Sequence, residues 1–268
     1  MFDTLFVHPI INVLVAILHV FLLLRIPYAL GFSIIVLTVL IRLLLYPLTT
    51  SQLKTTKKLQ DLAPELSRLK EKYKGDAKRL QQETMALYKT HGVNPAAGCL
   101  PVLIQLPLFF SLYTVFQKIV SAKAQHTINS IVYFDVLKIT NTGDTTFFGL
   151  PLGHTPSQLT GSLVAFSFLI PFITGALQFI QSKMIAPAAS ASNKLVKQGE
   201  KKSTGDDFAK ALQMQTTYIL PVMIGFFSYS FPVGLSLYWN TFSIFGIIQQ
   251  YRLQGFGGLA IWVKKMTR

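Results

Sequence analysis

Charge is scarce in this chain. Only 13% of its 268 residues are Asp, Glu, Lys or Arg, and acids are scarcer still, 11 against 25 basic residues. A soluble domain of this length carries roughly twice that share of charge on its water-facing surface, so composition argues against an ordinary soluble enzyme. The single cysteine, Cys99, rules out an internal disulfide. There is no Walker A loop, dinucleotide fingerprint or His-Glu-x-x-His helix, so neither nucleotide hydrolysis nor a catalytic metal is expected, and no cofactor. Acids are also missing from the apolar runs, which lack the intramembrane carboxylates that proton and ion transport usually employ. Gly234-Leu235-Ser236-Leu237 faintly resembles an intramembrane serine-protease motif. Such a serine needs a histidine at membrane depth, and the only candidates are His8 and His19 near the start of the chain. An enzyme is therefore not expected. A basic n-region is missing as well, since the chain opens Met1-Phe2-Asp3-Thr4, and no secretory signal is expected. Ala96-Ala97-Gly98-Cys99 mimics a lipoprotein cleavage box, but the apolar run follows it rather than precedes it.

What the chain does have is hydrophobic mass: 51% of residues, including 21 Phe. The expected fold class is an all-α integral membrane protein, a five-transmembrane-helix core with a cytoplasmic antiparallel helical hairpin. The spans fall at 28–48, 100–118, 160–182, 214–231 and 233–252, the last two reversing at Phe231-Pro232-Val233-Gly234. Basic residues alternate between the connections: ten in 49–99, two in the expected extracytoplasmic loop 119–159, six in 183–213, and four from Arg252 onward. By the positive-inside rule the first span runs outside to inside, and the basic loops and the C-terminus are cytoplasmic. Residues 1–27 hold a further apolar segment, Leu5–Leu24, whose polar residues His8, Asn12 and His19 share one narrow stripe. We read it as an amphipathic or interfacial helix on the outer surface, with a sixth span as the alternative. Its histidines have no carboxylate or cysteine at metal spacing.

Within 49–99, Leu59, Leu62, Leu66, Leu69 and Tyr73 recur at three- and four-residue steps. After Lys74-Gly75-Asp76, Ala77, Leu80, Thr84 and Leu87 do the same, which predicts two antiparallel helices with a glycine turn. Pro64 must kink the first helix or begin its regular part. The hairpin reads either as a docking surface or as a solvated element that only sets topology. The 183–213 loop, with Pro187-Ala188-Ala189-Ser190, reads as flexible, and 253–268 as a short basic tail.

Arg42 lies inside the first apolar run. An arginine there costs roughly 2.5–3.5 kcal/mol on insertion scales, so it tends to face a protein interior or a wet cavity. It sits six residues before Leu48, ~9 Å from the inner end, so snorkelling to the interface is the alternative. Thr38 shares its helical face. Gln105 lies in the second span, Thr174, Gln178 and Gln181 form a stripe in the third, and Ser236, Trp239, Asn240 and Ser243 one in the fifth. Any one stripe is ordinary helix-joining hydrogen bonding. Several stripes with a lone arginine predict a water-containing cavity lined by Arg42, Thr38, Gln105, Trp239, Asn240, Ser236 and Gln178.

Three stretches carry a family resemblance: Gly31-Phe32-Ser33-Ile34 through Ile41-Arg42-Leu43-Leu44-Leu45-Tyr46-Pro47-Leu48; then Met85-Ala86-Leu87-Tyr88 and Val93-Asn94-Pro95-Ala96-Ala97-Gly98-Cys99-Leu100-Pro101 through Gln105-Leu106-Pro107; and Phe231-Pro232-Val233-Gly234-Leu235-Ser236-Leu237-Tyr238-Trp239. In order and spacing over about 28–253 the chain resembles the YidC membrane protein insertase family, shared with the Oxa-type proteins of mitochondria and chloroplasts. The resemblance implies a five-helix core whose cytoplasm-open groove holds the arginine matched by Arg42, with contact positions on Thr38, Gln105 and Trp239. It implies insertion and folding of small membrane proteins without nucleotide, in a bacterial plasma (inner) membrane. Nascent membrane proteins and the lipid bilayer are the partners it implies, with the Sec translocon, the ribosome and the signal recognition particle pathway as further ones. The large outer domain and signal-anchor span of many members are not expected here. The basic tail is reduced to Lys264, Lys265 and Arg268, which argues against direct ribosome tethering. A small-solute transporter or channel is the other functional class. It would show inverted repeats and paired intramembrane charges, and neither is found.

Overall fold

The computed structural model describes residues 1–94, 100–120, 124–139, 144–186 and 214–260. Cys99, the 183–213 loop beyond Ala186, and Lys264, Lys265 and Arg268 of the tail lie outside the described residues. The chain is built of helices: α1 (His8–Leu23, led in by a π-helical turn Asp3–Val7), α2 (Ala29–Leu44), α3 (Tyr46–Asp61), α4 (Ala63–Lys72), α5 (Ala77–Thr90), α6 (Leu100–Val120), α7 (Ala124–Asn129), α8 (Val164–Ile185), α9 (Leu220–Ser230, after a π-helical turn Gln215–Ile219) and α10 (Val233–Gln254). The all-α expectation meets one small exception, an antiparallel pair of two-residue strands, β1 (Thr146–Phe147) and β2 (Leu150–Pro151). The strands reverse through Phe148 and Gly149, both at positive φ (49° and 82°), the pairing that a two-residue hairpin turn requires.

By its internal contacts the chain falls into two units. The first comprises Met1–Leu45, Val102–Gln178 and Val222–Phe245. Its core is one apolar cluster drawn from α1 (Ile11, Leu14, Val15, Leu18), α2 (Leu30, Ile34, Leu37), α6 (Leu112, Val115, Phe116) and α10 (Val233, Leu235, Tyr238). Small residues set the closest approaches. A Cβ on Gly234 would stand 2.4 Å from the Phe116 ring, and one on Gly225 of α9 would lie 3.1 Å from the Pro171 carbonyl of α8. Where there is no hydrophobic drive between helices, such close backbone packing supplies the attraction. The reversal between α9 and α10 is pinned to the segment joining α6 to α8, because the first orphan amides of α10 find acceptors there. Val233 N donates to the His154 carbonyl and Gly234 N to that of Leu152, each at 2.8 Å.

The last turn of α6 and the same joining segment meet α1 and its flanks in turn. At the start, the Asp3 carboxylate stands 3.6 Å from Lys118 Nζ, in the last turn of α6. In the middle, Asn12 is 6% exposed. Its amide donates to the His8 and Ile131 carbonyls, and its Oδ1 accepts from Tyr133 N at 2.7 Å. Just past the end, Tyr28 packs on Phe147 and Phe148, and Phe147 sits on Gly31, where a Cβ would come within 2.0 Å of the ring. Residues 3–23 and 161–185 are, among the described residues, helices long and apolar enough to cross a membrane on their own.

The second unit comprises Tyr46–Pro101, Phe179–Pro221 and Gly246–Arg268. Its local signals act as their chemistry dictates. Pro64 stands in the first turn of α4, where its missing N–H costs nothing, so it begins the regular helix rather than kinking it. Gly75 turns the chain at φ 99°, and Asp76 caps α5 by accepting from Arg79 N at 2.9 Å. Helices α4 and α5 pack on each other, and Tyr73 Oη donates to Glu83 Oε1 at 3.2 Å. The start of α3 is bolted to the end of α10 by Gln249, whose Nε2 donates to Thr49 Oγ1, Thr50 Oγ1 and the Tyr46 carbonyl. Gly257 and Gly258 seat the last described turn on the carbonyls that end α8. A Cβ on Gly257 would lie 2.1 Å from the Met184 oxygen.

Candidate functional site

Arg42 is held on the last turn of α2. Its side chain is 4% exposed and lies inside the first unit, so it does not snorkel. Nη2 donates to the Phe242 carbonyl of α10 at 2.6 Å. The guanidinium carbon stands 3.4 Å from the centroid of the Phe242 ring and 5.8 Å from that of Phe245. Nε is sealed from solvent with no partner. Among the described residues the group therefore uses one of its five N–H donors, and no acid pairs with it. A cation in this state is under-satisfied: the aromatic face and one carbonyl stabilise it, but the planar fork that suits a carboxylate is mostly idle.

The other candidates divide. Thr38 is buried and bonds only locally, donating to the Ile34 carbonyl one turn back at 2.6 Å, which satisfies its hydroxyl within α2. Gln105 of α6 reaches α10, its Nε2 donating to Tyr238 Oη at 2.8 Å. Gln178 of α8 accepts from Trp239 Nε1 of α10 at 3.0 Å. Ser236 shares a hydrogen bond with Ser228 of α9 at 2.8 Å, and Ser228 Oγ donates onward to Thr174 Oγ1 of α8 at 3.4 Å. The Oδ1 of Asn240 and the Oγ of Ser243 are sealed without partners among the described residues. Thus α10 is the hub: one flank joins α8 and α9 through Trp239 and Ser236, another joins α6 and α2 through Tyr238 and Phe242. An unpaired polar atom in a dry interior costs about 1–3 kcal/mol, so the three of them described in the first unit (Arg42 Nε, Asn240 Oδ1, Ser243 Oγ) mark places where a water or an incoming polar group gains by binding.

Two residues escaped the inventory of polar side chains. Tyr238 is fully buried and carries the Gln105 hydroxyl contact, and its ring lies 5.8 Å from that of Phe242. Phe242 holds Arg42 with its carbonyl and its ring, both invisible to a search for polar residues. The available signal was an aromatic stripe, Tyr238, Phe242 and Phe245 at four- and three-residue steps on one face of α10. Phe109 of α6 adds an edge-on contact with Trp239 at 5.6 Å. Among the described residues no group of three His, Cys, Asp or Glu side chains converges that could hold a metal ion.

Residues 21–256 match the family model described as 60Kd inner membrane protein. An ALBINO3-like protein 1, chloroplastic, of Arabidopsis thaliana is 33% identical over 251 residues, covering 91% of this chain and 46% of its own. A protein named membrane protein insertase YidC of Rickettsia felis is 34% identical over 227 residues, 84% of this chain and 35% of its own. One of the same name from Fusobacterium nucleatum is 33% identical over 222 residues, 82% of this chain and 84% of its own. The chain thus spans less than half the length of the first two relatives and most of the third.

Proposed function

This chain belongs to the 60Kd inner membrane protein family, the YidC/Oxa-type insertases, and from that premise we propose that it inserts small membrane proteins and assists their folding without nucleotide hydrolysis. The observation that carries the proposal is Arg42, a buried cation with four of its five donors unused among the described residues. Drawing a polar or acidic tail across ~30 Å of hydrocarbon is prohibitive, because its groups lose their water. A positive group held part-way, and short of acceptors, lowers that barrier for a carboxylate arriving from the cytosol. The apolar part of the substrate then leaves sideways into lipid, driven by ~25 cal/mol per Å² of apolar surface removed from water. The polar residues Gln105, Gln178, Ser236, Trp239 and Asn240 serve as exchangeable partners along that route. Membership of an insertase family favours this over a small-solute transporter or channel, the other class. Nascent membrane proteins and the bilayer are the partners; the Sec translocon, the ribosome and the signal recognition particle are candidates for delivering substrate to the basic hairpin.

The orientation of lowest cost puts the basic connections and the C-terminus in the cytoplasm of a bacterial plasma membrane. Residues 3–23 then lie on the opposite, outer face rather than crossing. In support, Asp3 contacts Lys118 at the end of α6, and Asn12 and Tyr28 contact the segment that follows, whereas a crossing helix would leave that region behind within a turn or two. Single cysteines at positions 3 and 25, with Cys99 replaced, test this. Both are expected to react with a membrane-impermeant thiol reagent applied outside, and labelling of only one end would establish a crossing. Function is tested by depleting the protein and mapping newly made small membrane proteins with external protease. Loss of protected or cleaved fragments for dependent substrates is expected, and normal insertion of all of them would refute the proposal.

A further inference from the structure

We propose that Phe242 is a displaceable cap on Arg42, and that an acidic segment of the incoming chain competes with it for the guanidinium. The inference rests on the insertase reading above and names the residue that regulates its central charge. Three observations carry it. The ring lies against the guanidinium at 3.4 Å, close enough to stabilise the cation through its π-face, and a second ring, Phe245, stands behind at 5.8 Å. The same residue's main-chain carbonyl takes the Nη2 edge. Phe242 lies in the body of α10, where a carbonyl has a second lone pair to offer, so Nη2 can leave without unwinding the helix. Finally, among the described residues the bond to Phe242 is the single hydrogen bond of a five-donor group whose Nε is sealed and idle, so a bidentate carboxylate satisfies more of it than the cap does.

This arrangement answers how a lone arginine survives in an apolar unit between substrates. A full counter-ion would hold it too tightly to be exchanged, and no partner at all would leave it to expel itself toward water. An aromatic face with one carbonyl is intermediate: enough to keep the side chain in place, weak enough to yield to a charge. The ring sets what an incoming carboxylate must outcompete, so its removal favours acidic tails and leaves neutral segments, which do not compete for the cation, as they were.

The test uses the full chain in proteoliposomes and two single-span substrates identical except for Glu→Gln in the outward-going tail. Phe242→Leu keeps the carbonyl and removes the π-face, and Phe242→Trp strengthens it. Phe242→Leu is expected to speed insertion of the acidic substrate by roughly two-fold to thirty-fold, the range of a cation–π contact, and to leave the amide substrate unchanged; Phe242→Trp slows the acidic substrate. Independently of substrate, modification of Arg42 by phenylglyoxal, located by mass spectrometry, is expected to be several-fold faster in Phe242→Leu. Equal changes for both substrates, or no change in either, overturn the cap, as does unaltered phenylglyoxal reactivity. If the wild-type protein does not distinguish acid from amide, the reading of Arg42 itself fails. If Arg42→Met abolishes the distinction while Phe242→Leu leaves rates and reactivity as in the wild type, the cap alone fails.

Discussion

Replacing Arg42 by methionine separates what the arginine does for the fold from what it does for substrate. The favourable side holds one charge-assisted hydrogen bond to Phe242, worth about 1.5–3 kcal/mol, and one cation–π contact, about 0.5–2 kcal/mol. Against them stands the desolvation of a buried guanidinium, several kcal/mol even after relaxation, a cost that already includes the sealed, unpaired Nε. The two sides roughly cancel. Methionine is unbranched, similar in reach and free of unsatisfied donors, so it fills the same slot at little cost. Arg42→Met is therefore expected to shift the Tm of the detergent-solubilised protein by no more than a few degrees, in either direction, since 1 kcal/mol corresponds to about 2–4 °C at this size. Insertion of substrates with acidic tails is expected to fall tenfold or more, measured by protease mapping of newly made protein in depleted cells. Arg42→Lys, which keeps the charge and loses the planar fork, falls between the two. A Tm loss above about 10 °C, with acidic and neutral substrates failing together, would show that Arg42 is a structural brace, and the argument from an idle cation would be wrong.

Three further substitutions test the packing that positions the site. Asn12→Ala removes the acceptor of Tyr133 N and the donor to Ile131, so a loss of about 1–3 kcal/mol is expected, with faster hydrogen exchange at the Tyr133 amide; Asn12→Asp is expected to keep that amide protected. Gly31→Ala drives a Cβ into the Phe147 ring and is expected to cost about 1–3 kcal/mol, read as a fall in Tm. Adding Phe147→Ala should recover part of that loss, and strict additivity of the pair would deny the contact. Gly257→Ala meets both a left-handed φ of 49° and the Met184 carbonyl, which cannot rotate away. A lowered Tm is expected, along with protease sensitivity confined to the residues around Met184 and Gly257.

An all-α membrane protein was legible in the sequence because hydropathy and charge are local sums. A run of about twenty apolar residues, or a loop dense in lysine, declares itself without reference to any partner. The hairpin was legible for the same reason: Pro64, Gly75 and Asp76 act within one turn of themselves, through a missing N–H, a positive φ and a carboxylate cap. That an arginine sits in an apolar run could also be read directly. What it touches could not be. Phe242 is 200 residues away, and it acts through a ring and a carbonyl that no inventory of polar side chains contains. Likewise Gln105 and Gln178 were visible as polar residues, but only packing decided that they bond to Tyr238 and Trp239 on α10. The first helix is the clearest division between the two kinds of information. Its composition suits a crossing or a surface position equally well, because burial in lipid and burial against protein remove the same water. Its contacts with Lys118 and with residues 131–133 arise only when distant segments are brought together in space.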